Sequence, residues 1–239
     1  MGLSQSTART YYKAMDFLLK DQLILDLKNI DIDLVVSKLK QMKYKNQYSK
    51  YKNAFIKFCD YLNIKLDSSI LEELAIMKNE KKKRYRKLKE VELKNIKNHI
   101  RVIRDEKLKL SFQIMLLIGL RVSELTQIQA KDCLINSNSI ELSFIGKGGN
   151  KESVLITDTK IFEAFKKLLS ETRKGEKIFY STNYLQSKAK KMKFQCHDLR
   201  RAFAKLSYKK HKNLNQVMKE MRHSKKHNTK IYLNSKVKI

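Results

Sequence analysis

Proline is absent from this chain, and glycine occurs only six times. Without the residues that set tight turns and break helices, a mainly helical protein with few hairpins is expected. Cysteine is scarce as well: Cys59, Cys133 and Cys196 are odd in number, far apart, and form no Cys-x-x-Cys pair. That usage excludes a disulfide framework and a zinc ribbon. His223 and His227 have a metal-like spacing, but Cys196 and His211, the nearest residues that could complete a site, lack the usual ligand pattern, so no metal is expected. No apolar run reaches the length of a membrane span and no signal peptide opens the chain. A soluble cytoplasmic protein is expected.

Acidic residues are also few, 24 against 53 lysines and arginines, for a formal net charge of +29. Self-repulsion on that scale is best tolerated beside a polyanion, and nucleic acid is the first choice. The 239 residues hold one large or two small domains. Four amphipathic stretches come first. Ser4 to Lys20 carries Tyr11, Met15, Leu18 and Leu19; Leu34, Val35, Leu39 and Met42 repeat the spacing; a third helix holds Tyr48, Tyr51, Phe55, Phe58, Tyr61 and Leu62; Ser68 opens a fourth through Leu71, Leu74 and Ile76. The helical period of the aromatic stripe marks it as core rather than a base-stacking platform. These helices make a small bundle over residues 1–78.

Residues 79–88 are almost devoid of apolar side chains and read as a linker. Its Lys81, Lys82, Lys83, Arg84 and Arg86 are either a solvated tether or contacts along a phosphate backbone. Residues 89–239 form a second, larger helical domain. It opens with a helix through Val91, Leu93, Ile96, Ile100 and Ile103, then a more apolar one from Leu108 to Leu117. Alternation at Ile140, Leu142 and Phe144, answered by Val154 to Ile156, marks a β-hairpin whose tip carries Lys147 and Lys151. Thr157 to Thr172 is an amphipathic helix.

The chemistry gathers near the end. His197, Arg200, Arg201, His223 and Tyr232 supply what attack on a phosphodiester needs. Arginine forks meet the oxygens on which charge develops, histidines donate or move protons, and a tyrosine hydroxyl can form a covalent intermediate. On a helix His197 and Arg200, three apart, share a face. Taken singly, each of these residues is as well explained by packing or by a solvated surface. The ordered set, with Arg121 upstream, is not.

That order carries a resemblance. Gly119-Leu120-Arg121-Val122-Ser123-Glu124-Leu125, then Gly146-Lys147-Gly148, then His197-Asp198-Leu199-Arg200, then His223-Ser224 and a tyrosine nine residues past that histidine are similar to the tyrosine recombinase (phage integrase) family. The match runs from about Leu88 to Tyr232, and the N-terminal part resembles the family only loosely. The small Xer-like, simple integrases are the most similar type.

The resemblance implies an N-terminal core-binding domain, SAM-like, and a C-terminal catalytic domain that recombines DNA at specific sites, for integration, excision, inversion or resolution. Tyr232 would attack the scissile phosphate to give a 3′-phosphotyrosine. Arg121, Arg200, His197 and His223 would hold the phosphate, with His197 also a candidate to take the tyrosine proton. Lys147 would protonate the leaving 5′ oxygen, while Lys151 and Arg201 would contact DNA. Apart from the resemblance, Glu124, three residues past Arg121, is expected either to hold Arg121 or His197 in place or to be an ordinary carboxylate at a helix N-terminus. Double-stranded DNA is the implied partner, with a tetramer on two DNA sites passing through a Holliday junction, an accessory protein as a further partner, and nucleoid association. No cofactor, metal or ATP is implied.

Two positions depart from the family pattern. Arg222 stands where the family usually has glycine, so that a required positive φ would strain it, or else it adds a phosphate contact. Only Leu233 to Ile239 follow Tyr232, little for the C-terminal segment that family members pass to a neighbour. The length also leaves no room for an arm-binding domain. A type IB topoisomerase, a non-catalytic DNA-binding relic of a recombinase, and a ribosome-associated RNA-binding protein are the competing readings. The last explains the charge but not the ordered motifs.

Overall fold

A computed structural model of the chain describes residues 3, 5–22, 26, 29–80, 91–146, 149–235 and 237–239. It divides into two compact units, residues 1–87 and 88–239. The expected mainly helical architecture with a small sheet is the one observed.

In the first unit, helices α1 (Gln5–Leu19), α2 (Ile32–Gln41), α3 (Lys45–Leu62) and α4 (Ser68–Glu80) pack around Leu18, Leu39, Tyr48, Phe55 and Leu74, all fully buried. Asp31 caps α2 by accepting from the Leu34 amide at 2.9 Å, and the Tyr48 hydroxyl donates to the Leu74 carbonyl at 2.6 Å. Capped ends and one satisfied buried hydroxyl let an otherwise apolar centre close. The aromatic stripe of α3 is core through Tyr48 and Phe55, but Tyr61 is 84% exposed. Thirteen positions past Tyr48 it has rotated to the other side of a 3.6-residue helix. Ile76 is exposed for the same reason, two positions beyond buried Leu74.

In the second unit, α5 (Leu93–Arg101) leads to α6 (Glu106–Ile118). Asp105 caps α6, accepting from the Leu108 amide at 2.9 Å, and Gly119 ends it at φ +65°. Leu108, Phe112, Ile114 and Met115 bury this helix in the middle of the unit. The short α7 (Val122–Leu125) follows. Strands β2 (Cys133–Ile135), β3 (Ile140–Ile145) and β4 (Lys151–Ile156) form an antiparallel sheet in the order β2-β3-β4, with Ile140 opposite Ile156 and Leu142 opposite Val154. The hairpin is as expected; β2 is an addition. Helices α8 (Thr159–Ser170), α9 (Thr182–Lys191), α10 (Cys196–His211), α11 (Leu214–Glu220) and α12 (Lys226–Leu233) complete the unit, with α10 packed against α6, α11 and α12.

The tail beyond α12 has structure of its own. Its strand β5 (Val237–Lys238) lies parallel to β1 (Val91–Glu92), pairing Val237 with Val91, and Val237 is buried beside Leu93 and Ala202. Among the described residues no helix is long and apolar enough to cross a membrane.

Candidate active site

Helix α10 is the platform. The Gln195 amide donates to Asp198 at 2.8 Å, which starts the helix with a carboxylate where its free amides need one. His197 and Arg200 follow one turn apart. His197 reaches solvent, whereas Arg200 is completely buried and donates to the carbonyls of Gly119 and Met221. One arginine thereby joins the end of α6 to the end of α11. Its Nη2 stands 3.4 Å from His223 Nε2 and its guanidinium 5.8 Å from the centre of the Tyr232 ring.

Gly119 is required at that junction. A Cβ there would lie 2.3 Å from the Phe203 ring, and the positive φ is one that glycine adopts without strain. Two residues on, Arg121 precedes α7. Its amide donates to Glu124 Oε2 at 2.8 Å and its guanidinium pairs with Oε1. Glu124 is buried and also faces Arg200 at 3.8 Å and Arg222 at 3.4 Å. Of the two residues it was expected to hold, Arg121 is in contact and His197 is not among its described partners. Burial would raise the Glu124 carboxyl, but the Arg121 amide and guanidinium and the Arg200 charge hold it below its ordinary value.

Helix α11 ends in a Schellman turn. The Arg222 amide donates to Lys219 at 2.9 Å and the His223 amide to Met218 at 3.0 Å. Arg222 takes the left-handed position at φ 53°. The strain expected there is thus present, and the side chain meets carboxylates, Glu124 and, at 3.0 Å, Glu152 of β4. The turn delivers His223, 8% exposed, with Nδ1 3.0 Å from the Thr229 hydroxyl. From α12, the Tyr232 ring sits between the two histidines, 5.1 Å from His197 and 5.0 Å from His223, centre to centre.

Arg121 and Glu124 at α7 thus converge with three successive elements about 75 to 110 positions later, α10, the turn after α11, and α12. Burial, then Arg200, Arg121 and Arg222, push His223 down to about 4. His197, which is exposed to solvent, is also lowered, by partial burial and then by Arg201 and Arg200. Both imidazoles are neutral at pH 7 and the local positive charge belongs to the arginines. Arg200, lowered to about 10 by burial and Arg121, remains charged.

Other expected residues stand elsewhere. Arg201 pairs with Asp198 at 2.6 Å beside the cluster, and Lys151 is exposed at the start of β4. Lys147, Lys81, Lys82, Lys83, Arg84 and Arg86 lie outside the described residues. Sequence reasoning did not reach Thr229, Glu152 or the acceptor carbonyls of Gly119 and Met221. Gly119, Glu152 and Met221 lie in or beside the motifs, but no motif marks the contacts they make, which arise from tertiary proximity.

Solved structures place the fold. A XerH site-specific recombinase bound to its difH substrate in a pre-cleavage complex superposes with a TM-score of 0.64 at 21% identity, covering 94% of this chain and 74% of that one. A dimer of lambda integrase residues 75–356 bound to a COC′ core site gives 0.68 at 15% identity, covering 98% and 90%. XerA recombinase gives 0.51 at 16% identity, covering 98% and 88%. A search of curated protein sequences found no match. The fold is therefore shared with recombinases of this architecture. Residues 86–238 match the phage integrase family model, and the chain belongs to that family, the tyrosine recombinases, which are DNA strand-transfer enzymes.

Proposed function

We propose that this chain cuts and rejoins double-stranded DNA at specific sites through a 3′-phosphotyrosine on Tyr232. The observation that carries this is the seating of the Tyr232 ring between His197 and His223 beside the buried Arg200 guanidinium. A phosphate brought to the hydroxyl of that tyrosine would meet Arg121, whose side chain is 22% exposed, with the positive charge of the buried Arg200 behind it.

Attack by the phenol oxygen forms the tyrosyl ester as the bond to the 5′ oxygen breaks. Neutral His197, on the solvent side of the ring, can take the phenol proton. Lys147 is the proposed donor to the leaving 5′ oxygen, and a 5′ hydroxyl from a second duplex reverses the step. The phosphodiester bond energy is retained in the ester, so neither ATP nor metal is required. Arg201, Lys151 and the basic residues Lys81, Lys82, Lys83, Arg84 and Arg86 are proposed to follow the DNA backbone. Exchange between two duplexes calls for four such sites, hence a tetramer acting through a Holliday junction, with an accessory protein as a further proposed partner and the nucleoid as its place. In this reading residues 1–78 bind the duplex, 79–88 link, and 89–239 carry the chemistry.

Digestion of the covalent complex followed by mass spectrometry tests the nucleophile. The expected result is an oligonucleotide 3′-phosphate on the peptide containing Tyr232. The same mass on any other tyrosine peptide overturns the assignment.

A further inference from the structure

The Schellman turn before His223 puts an arginine where a glycine would be free of strain. A non-glycine residue held at positive φ is strained unless something offsets it. The offset is visible in the side chain. The Arg222 guanidinium lies between two carboxylates, with Nη2 3.4 Å from Glu124 and Nε in a 3.0 Å ion pair with Glu152 that is not aligned as a hydrogen bond, and it lies 5.3 Å from the Phe144 ring centre. Its side chain is 13% exposed, so these ionic contacts are largely shielded from water.

Glu152 has no part in the proposed chemistry, yet its carboxylate sits against Gly146, where a Cβ would come within 2.3 Å of Oε1. It therefore brings a negative charge to the foot of the hairpin turn, and through Arg222 that charge is connected to Glu124, the partner of Arg121 and Arg200. Three guanidinium groups and two carboxylates make up this network, a surplus of one positive charge. With Arg222 replaced by a neutral residue the surplus is gone, and Glu152 is left unpaired near a site that must attract a phosphate.

We infer that Arg222 is a positioning residue that neutralises Glu152 and holds it off the phosphate-binding cluster, keeping Glu124 available to Arg121 and fixing the turn that presents His223. The inference rests on the functional reading above. It makes Arg222 and Glu152 a matched pair: the arginine is needed because the glutamate is there.

Arg222→Gly, Arg222→Lys and the double variant Arg222→Gly with Glu152→Gln separate this from a merely structural role. Glycine suits the left-handed backbone, so Arg222→Gly is expected to keep the fold. Single-turnover adduct formation at saturating DNA is the readout, with DNA affinity and thermal midpoint measured alongside. Arg222→Gly is expected to slow the step about tenfold or more while changing affinity less than about threefold. Arg222→Lys keeps most of the rate, and the double variant regains most of what Arg222→Gly loses, because the stranded charge is gone. A double variant as slow as Arg222→Gly overturns the inference, as do equal rates for Arg222→Gly and wild type. No adduct from wild-type protein on DNA that it binds overturns the functional reading and this inference with it.

Discussion

Arg200 and Arg121 face the same proposed phosphate from different surroundings, and substitution should separate them. Arg200 is wholly buried, donates to two carbonyls and faces Glu124. Its loss strands those acceptors, so Arg200→Ala should destabilise the fold by about 3 kcal/mol or more, read as an earlier urea midpoint. Arg121 is partly exposed and paired with one carboxylate, so Arg121→Ala should leave the urea midpoint near wild type while reducing adduct formation by about a hundredfold or more. Equal destabilisation by both changes would contradict this difference in environment. Gly119→Ala adds a methyl against Phe203 and forces alanine to φ +65°, which should cost about 2 kcal/mol and displace the carbonyl that holds Arg200. The cluster residues themselves were legible in the sequence because their types and order carry the chemistry. Thr229 and Glu152 were not, since a threonine six residues past a histidine and a glutamate in a strand are too common to single out. Arg222 was noticed as a departure, but its carboxylate partners come from distant segments and no local pattern announces them.

At the scale of elements, the turn from α11 into α12 controls His223 and should confer a pH signature. The folded protein holds this imidazole to about 4 while the unfolded chain binds a proton near 6.5, so protonation favours unfolding. The stability from neutral His223 is fully present above about pH 6.5 and is lost as pH falls towards 4, by up to about 3 kcal/mol, with no further loss from this group below that. Urea unfolding at stepped pH should show the slope reduced over this window in His223→Gln, and equal slopes in the two proteins would count against burial as the cause. Helices were largely readable from period; the caps that start them, Asp31, Asp105 and Asp158, each accepting from the amide three residues on, were seen only in the structure. Strand β2 was not, because three residues show no alternation. Nor was the parallel pairing of β5 with β1, made by two-residue strands about 145 positions apart, since only the folded unit brings their edges together.

For the molecule as a whole, the excess of 53 basic over 24 acidic residues should make DNA affinity steeply salt-dependent. If exposed Lys151 neutralises a phosphate, Lys151→Ala should lower the slope of log affinity against log salt by about one and weaken all DNA sequences alike. An unchanged slope would remove Lys151 from the interface. Charge pointed to nucleic acid from composition alone, but it says nothing about chemistry. Chemistry enters only with the convergence of α7, α10, α11 and α12 on Tyr232. The most direct test is therefore to incubate wild-type protein and Tyr232→Phe with a nicked suicide substrate built on a candidate DNA site, without metal or ATP, and to look for a denaturation-resistant protein–DNA adduct. The expected outcome is an adduct with wild type and none with Tyr232→Phe, at equal DNA affinity. An adduct that persists in Tyr232→Phe, or wild-type protein that binds the nicked site and never becomes attached to it, would contradict tyrosine transesterification in this site.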